Sequence, residues 1–329
     1  MRNLILDESS KVIRFIRCVI ADETYCLNMS WVRSIQRMEQ FHQQQGAEGG
    51  VIGWYMSSSG KIPVLALAAQ LHRPYDAGQA TGKIVVLNTQ PQPWALLVER
   101  LGSVMQVSAA DVLPLPAMAR NPAMPFFDGV VKSPDGMMLS LVPEGLRPQA
   151  ATRAVGASMA SLPEIFPPAV GTPVAAGNTG KIICFSTADG PAQASAITFG
   201  LSVSQVPRVL QSFSLLPIPG AAAFVLGLVD WQGYPLAVID LSRRLGGAAS
   251  PVLPDSRLLI ARASTRQAFV SFPVRPQVRV RSLPIAHQPS IRALPLQEAL
   301  LRGRFDLTNE TLVIPDIDSL LAPQEKPSC

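Results

Sequence analysis

The 329-residue sequence has no long apolar segment. No run approaches the roughly 20 apolar residues that cross a bilayer as a helix. The N-terminal segment turns acidic at Asp7 and Glu8, which is too early for the apolar core of a secretion signal. We therefore expect no membrane span and no export, and we place the protein in the cytoplasm.

Residues that commonly support catalysis or bind metals are also few. The three histidines (His42, His72 and His287) are far apart, and the four cysteines provide no pair with zinc-ligand spacing. Phosphate-binding loops, nucleophile-elbow motifs and dinucleotide-binding glycine motifs are missing as well. These absences predict no catalytic residue, no metal, no cofactor and no small-molecule substrate. They favour a protein that acts through its surfaces and is not an enzyme.

What the sequence does contain is an internal repeat. Three separated segments match later segments at a single offset of 174 residues. The matches are residues 25–32 with 199–206, residues 63–67 with 237–241, and, in the third segment, residue 129 with 303 and residues 138–141 with 312–315. One offset that holds over most of the chain predicts two diverged copies of one domain.

Both copies show short apolar runs separated by turn residues, which is typical of all-β domains. Predicted strands lie near residues 12–20, 24–31, 50–56, 61–67, 83–89, 94–100 and 137–142, and near residues 181–187, 195–203, 225–231, 235–241, 257–263, 267–272 and 311–315. The 30 prolines argue against long helices. Residues 65–71 and 240–245 are each predicted to form a helical turn or two. The best remaining helix candidate is residues 295–302, with Gly303 predicted to end it.

The composition also predicts the domain boundaries. We expect an N-terminal tail at 1–11, a first domain at 12–147, a linker at 148–180, a second domain at 181–321 and a C-terminal tail at 322–329. The linker is rich in Ala, Pro, Gly, Ser and Thr, so it buries too little apolar surface to fold alone. Its apolar part, residues 162–168, leaves two alternatives open: a docking segment or an unstructured one.

Several segments of both copies resemble the CheW coupling-protein family. In the second copy they are 215–220 (Leu-Leu-Pro-Ile-Pro-Gly), 224–229 (Phe-Val-Leu-Gly-Leu-Val), 233–241 (Gly-Tyr-Pro-Leu-Ala-Val-Ile-Asp-Leu) and 243–246 (Arg-Arg-Leu-Gly). In the first copy they are 50–52 (Gly-Val-Ile), 62–67 (Ile-Pro-Val-Leu-Ala-Leu) and 95–101 (Ala-Leu-Leu-Val-Glu-Arg-Leu).

The resemblance implies two CheW-like domains, each a pair of small five-stranded SH3-like β-barrels with few short helices. It also implies a non-enzymatic adaptor in chemotaxis-type signal transduction. Such an adaptor couples chemoreceptor cytoplasmic domains and a CheA-type histidine kinase through protein–protein contacts. The expected location is the cytoplasm, at membrane-associated chemosensory arrays.

The resemblance also assigns partner-binding residues. Val32 and Val206 match the contact valine after the second strand, and Gly50 and Gly227 match the glycine that opens the hairpin. The family has a glutamate two residues after the contact valine and an arginine in the hairpin turn. The glutamate position holds Ser34 in the first copy and Arg208 in the second. The arginine position falls near Tyr55 in the first copy and at Gln232 in the second. The acidic residue that the family carries in a later strand corresponds to Glu99 in the first copy, and the second copy has no clear counterpart near Phe272. The predicted set is Val32, Ser34, Gly50, Glu99, Val206, Arg208, Gly227 and Gln232.

Loss of the family Glu/Arg pair from both copies keeps two alternatives open. The first is a degenerate CheW-like localisation scaffold that does not couple receptors. The second is a basic small-barrel nucleic-acid-binding protein, which Arg275, Arg279 and Arg281 suggest. Residues 181–321 have a net charge of +4 against +1 for residues 12–147. Aromatic residues for base stacking are few, so a nucleic-acid partner is disfavoured. Counted from Gly50, the first hairpin is three residues longer than the second, which favours the second copy as the principal binding domain.

Overall fold

A computed structural model describes most of both copies. The described residues are 12–44, 50–58, 60–74, 82–122, 124–147, 180–187, 196–265, 268–282, 294, 296–306 and 310–322. They form two compact units: residues of 12–115 and 120–147 belong to the first, and residues of 116–119 and 180–322 to the second. The predicted linker and tails, with the segment 162–168, lie outside the described residues except for Gly180 and Ala322.

The first unit contains twelve strands and one short helix within its described residues. They are β1 (Val12–Ile20), β2 (Glu23–Asn28), β3 (Val32–Gln36), β4 (Phe41–Gln43), β5 (Val51–Ser57), β6 (Gly60–Ala66), α1 (Leu67–Gln70), β7 (Lys83–Leu87), β8 (Ala95–Val98), β9 (Arg100–Ser108), β10 (Val112–Pro114), β11 (Phe127–Ser133) and β12 (Gly136–Leu141).

The second unit contains ten strands and two short helices within its described residues. They are β13 (Lys181–Phe185), β14 (Ala196–Ser202), β15 (Arg208–Leu210), β16 (Val225–Trp231), β17 (Tyr234–Ile239), α2 (Leu241–Arg244), β18 (Arg257–Arg262), β19 (Phe269–Val274), β20 (Arg279–Ser282), β21 (Leu301–Asp306), β22 (Glu310–Pro315) and α3 (Ile317–Leu320).

Each unit is built from two sheets with the same connectivity. In the first unit the orders are β10-β11-β12-β2-β1-β9 and β3-β7-β8-β6-β5-β4. In the second they are β20-β13-β14-β22-β21 and β15-β18-β19-β17-β16. The chain starts in one sheet, builds the whole of the other, and returns to finish the first. The all-β prediction is therefore confirmed; the described part of the first unit adds a sixth strand to each five-stranded sheet.

Each sheet curves around a core of its own. In the second sheet of the second unit, Leu258 and Ile260 of β18 point into such a core. Their neighbours Leu259 and Ala261 point the other way, into a larger core that both sheets of this unit share. Strand β18 is thus covered on both faces, which explains its unbroken apolar run.

The strand pairings repeat at the offset seen in the sequence. Tyr25 pairs with Leu139 in one unit, and Phe199 pairs with Val313 in the other. A β-bulge precedes Gly129 on β11 and recurs before Gly303 on β21. Both partners of a pair shift by 174 positions, so the two units share register as well as sequence.

The predicted helix at residues 295–302 is wrong. The described part forms a 3-10 helix at Glu298–Leu300 and then strand β21, with Gly303 inside the strand at its bulge. Pairing with β22 supplies the backbone hydrogen bonds of this segment, so long-range contacts override its helical pattern. The prediction also missed five strands of three to five residues, which are too short for a clear periodicity, namely β3, β4, β10, β15 and β20. It missed two longer strands as well, β9 beyond its first residue and β11.

Candidate protein-interaction surface

The two predicted contact valines lie where a 3-10 helix enters an edge strand. The helix Met29–Trp31 is capped by Asn28 and ends at Val32, the first residue of β3. The helix Val203–Gln205 is capped by Ser202 and ends at Val206. Strands β3 and β15 are edges of their sheets. Within the described residues, no further strand pairs with the outer side of either edge, and an edge of this kind can accept a strand of a partner.

A β-bulge puts Val32 and Ser34 on opposite faces of β3. Val32 pairs with Leu87, and Ser34 pairs with Val86, so two steps along β3 match one step along β7. Neighbouring residues of β7 point to opposite faces, and their partners do the same. Ser34 therefore lies on the face that encloses the core of its own sheet, with Val86, and Val32 lies on the other.

Val206 and Arg208 are separated in the same way. Val206 packs against the core that the two sheets of the second unit share. Arg208 pairs with Ile260, which belongs to the core of the second sheet alone. The resemblance treats the two positions as one contact surface, whereas the structure places them on two faces of one edge strand.

Sequence reasoning missed Ile35, an exposed apolar residue on the β3 edge. It pairs with Val85, on the same face as Val32, and 42% of it is exposed although its partner is fully buried. The buried centres of protein interfaces are more apolar than their rims, so Ile35 and Val32 together are candidates for a contact surface. A short apolar–polar alternation over residues 32–36 could have located this strand, but the predicted strand ended at residue 31.

The match of Gly50 with Gly227 is wrong, because Gly53 occupies the equivalent position. Gly53 pairs with Val64 after a bulge, and Gly227 pairs with Val238 after a bulge at the same place. Both glycines also meet a crossing segment: an added Cβ would lie 2.3 Å from the carbonyl oxygen of His42 at Gly53 and 2.4 Å from that of Leu216 at Gly227.

The corrected register makes the two hairpins equal in length. Strands β5 and β16 both contain seven residues, and each is followed by a two-residue turn. Gln232 lies in the second turn with φ of 55°, and its counterpart in the first is Ser58. Tyr55, the residue assigned from sequence, is instead buried in the sheet core. The predicted three-residue difference in hairpin length is therefore wrong.

Glu99 supports a turn of its own unit. It lies between β8 and β9, and its carboxylate accepts a hydrogen bond from the backbone N–H of Ala21 at 3.0 Å. Ala21 and Asp22 both have positive φ, at 46° and 65°, in the β1–β2 turn. The strand pairings identify the residue of the second unit that is equivalent to Glu99. Val98 corresponds to Val274, so the next residue, Arg275, takes the position of Glu99.

A buried carboxylate fixes the end of the second-unit hairpin. Asp240 caps α2 by accepting the N–H of Arg243 at 3.1 Å, and its other oxygen accepts the N–H of Ser250 at 2.6 Å. In the first unit Ala66 takes this position, and α1 has no side-chain cap. The second hairpin is consequently tied to two neighbouring segments by bonds that the first one lacks.

One arginine behind the nucleic-acid alternative is already paired within the protein. Arg281 lies 2.5 Å from Glu310, which also accepts a hydrogen bond from Thr198. Burial acts to raise the pKa of Glu310, but the hydrogen bonds from Thr198 and Arg281 and the positive charges of Arg281 and Arg279 outweigh it and lower that pKa. This ion pair reduces the cationic surface available to a phosphate backbone.

Among the described residues, no group of three His, Cys, Asp or Glu side chains is placed to hold a metal ion. Cys18, Cys26 and Cys184 are free thiols in buried positions. His287 lies outside the described residues. Across the described ranges, no helix has both the length and the apolar character needed to cross a membrane.

Comparison with known proteins gives one family. The family model of the CheW-like domain matches residues 14–149 and again residues 192–325. The crystal structure of the scaffolding protein TtCheW from Thermoanaerobacter tengcongensis is similar to 45% of this chain and 91% of that one, at 21% identity and a TM-score of 0.38. No curated protein sequence matches the chain significantly.

Proposed function

Because the chain belongs to the CheW-like domain family and contains two such domains, we propose that it is a non-enzymatic adaptor of chemotaxis-type signalling. In this role it couples a CheA-type histidine kinase and chemoreceptor cytoplasmic domains in the cytoplasm. The observation that carries the proposal is the match of the same family model to both halves. Two linked sites on one chain also raise avidity when a partner engages both.

The edge strands support a binding role. Val32 and Ile35 share one face of β3 at an open edge in the described part of the first unit. Val206 occupies the corresponding entry to β15. We further propose that the second unit carries the principal kinase interaction, since Asp240 fixes its hairpin and a rigid surface loses less entropy on binding.

The test measures binding of the whole chain to purified kinase and receptor cytoplasmic domains from the same organism. The variant Ile35→Asp puts a charge on the β3 edge, and Val104→Asp is its matched control, since these residues are 42% and 48% exposed on strands of different sheets. We expect Ile35→Asp to weaken receptor binding about tenfold or more, as loss of an apolar interface contact does, and to leave kinase binding, which we assign to the second unit, nearly unchanged. Val104→Asp should leave both unchanged. Absence of binding to every kinase and receptor domain would end the proposal.

The localisation scaffold remains as a second candidate because neither unit has the family acid–base pair. The equivalent positions hold Ser34 and Ser58 in the first unit and Arg208 and Gln232 in the second. The double variant Ser34→Glu, Ser58→Arg recreates the pair at the corrected positions. A scaffold that does not use receptors predicts unchanged receptor binding, and a gain in receptor affinity argues for the missing pair as the determinant.

A further inference from the structure

Two arginines lie side by side on the second sheet of the second unit. Arg208 on β15 pairs with Ile260 of β18, and Arg262 stands two residues further along β18. Both side chains are on the face of Leu258 and Ile260, at the rim of that sheet's core. We call Arg208 and Arg262 the arginine rim. Diagonal neighbours of this kind lie about 7–8 Å apart.

The arginine rim has no counter-charge among the described residues. In the described part of the second unit, Arg281, Arg302 and Arg304 form ion pairs, and neither Arg208 nor Arg262 does. Two cations on neighbouring positions of one sheet face repel each other. An external pair of carboxylates would remove that repulsion and add charge-assisted hydrogen bonds.

An aromatic pair borders the arginine rim. Arg262 pairs across the strands with Phe269, and the Phe269 ring meets Trp231 edge-on at 4.7 Å between centroids. Trp231 is only 9% exposed, so it forms a stiff wall and offers no open ring face. The arginine rim therefore lies against packed aromatic side chains, and its two guanidinium groups form no ion pair with any residue that the structure describes.

The first unit has no such feature. At the positions equivalent to Arg208 and Arg262 it carries Ser34 and Asn88, and Ser57 replaces Trp231. The same fold is thus stable with neutral residues at these sites. The arginines are a property of the second unit and not a requirement of the architecture.

Resting on the adaptor function above, we propose that the second unit binds an extended acidic segment of its protein partner at the arginine rim. In an extended chain, side chains at i and i+2 share a face about 6.6 Å apart, which matches the diagonal spacing of the two arginines. A segment with carboxylates at i and i+2 therefore meets both guanidinium groups. Strand β15, which carries Arg208, is an edge of its sheet, and pairing of the segment with this edge would add main-chain hydrogen bonds.

The same features disfavour a nucleic acid as the occupant. Single strands bind through aromatic faces on which bases stack. Here Trp231 is buried, and its ring and that of Phe269 pack against each other in an edge-to-face arrangement. Two cations also neutralise few phosphates.

The experiment uses the full chain and a fluorescent ten-residue peptide with Asp at i and i+2 in a Thr/Val background. We expect binding that falls about tenfold or more in the double variant Arg208→Ser, Arg262→Asn, and that weakens with salt only in the wild type. These substitutions install the first unit's own residues, so the fold is expected to survive. The control Arg243→Ser, Arg257→Asn removes the same charge elsewhere and should leave binding unchanged.

Several outcomes would overturn the inference. A peptide with Asp at i and i+1 that binds equally well would show that spacing plays no part. Equal loss in the control variant would reduce the effect to net charge. An oligonucleotide that binds through the same arginines more tightly than the peptide would identify a different partner. If the double variant still binds the kinase and receptor domains normally, the rim assignment fails while the adaptor function stands.

Discussion

A methyl group added at Gly227 tests the register on which the binding surface depends. The residue has φ of 152°, and an added Cβ would lie 2.4 Å from the carbonyl oxygen of Leu216. That oxygen belongs to backbone held in a bridge with Leu228, so it has little freedom to retreat. Gly50 is the matched control: its φ is 79°, but its Cβ would meet only the amide nitrogen of Gln70, at the end of a flexible side chain.

The two substitutions share the strain of a positive φ and differ in the steric contact. An alanine held at a positive φ costs about 1–2 kcal/mol of backbone strain. Alanine also lowers the conformational entropy of the unfolded chain, which offsets about 0.4–1 kcal/mol of that cost. Overpacking against backbone adds about 1–3 kcal/mol. We therefore expect Gly50→Ala to destabilise its unit by about 1 kcal/mol and Gly227→Ala by about 2–4 kcal/mol. Gly53→Ala, which has the contact without the positive φ, should fall between them.

Urea unfolding followed by circular dichroism measures these losses, and hydrogen exchange assigns each transition to a unit. With a slope of about 2 kcal/mol/M, a loss of about 3 kcal/mol lowers the midpoint by about 1.5 M. If Gly227→Ala is no more destabilising than Gly50→Ala, the close approach of Leu216 is not rigid and the equivalence of Gly53 with Gly227 loses its physical basis.

Three further predictions concern buried or capped groups. Burial raises the pKa of Cys18 to about 12 and also raises the pKa values of Cys26 and Cys184. In a Cys329→Ser variant, therefore, no thiol should react with a disulfide reagent near pH 8 until urea is added. Rapid labelling of the native protein would contradict this. The lowered pKa of Glu310 means that its stabilising effect is complete above its unfolded value of about 4.3 and is lost as the pH falls through the folded value. Glu310→Gln should accordingly destabilise at neutral pH and converge with the wild type in acid, and a pH-independent difference would refute the linkage. Asp240→Ala removes two hydrogen bonds to backbone and should cost about 1–2 kcal/mol in urea unfolding of the second unit, whereas an unchanged midpoint would show that its cap is dispensable.

The sequence by itself determined the class of fold and its duplication. Apolar alternation and turn residues are properties of consecutive positions, so strands such as Val225–Trp231 could be located without knowing their partners. The 174-residue offset was equally visible, because both copies keep the residues that their common pairings require. The resemblance to a family rested on the same local segments.

Only the tertiary structure decided which residues share a face. The bulge after Val32 sends Ser34 to the opposite side of β3, and the bulge before Gly53 makes that glycine, and not Gly50, the counterpart of Gly227. A bulge is defined by the partner strand, which is remote in sequence, so no local pattern reveals it. For the same reason, neither the hydrogen bond from the N–H of Ala21 to Glu99 nor the position of Arg208 beside Arg262 could be predicted before the strands were aligned. Cross-strand register is set by packing of whole sheets, and that packing is what separates the interior positions from those left to bind a partner.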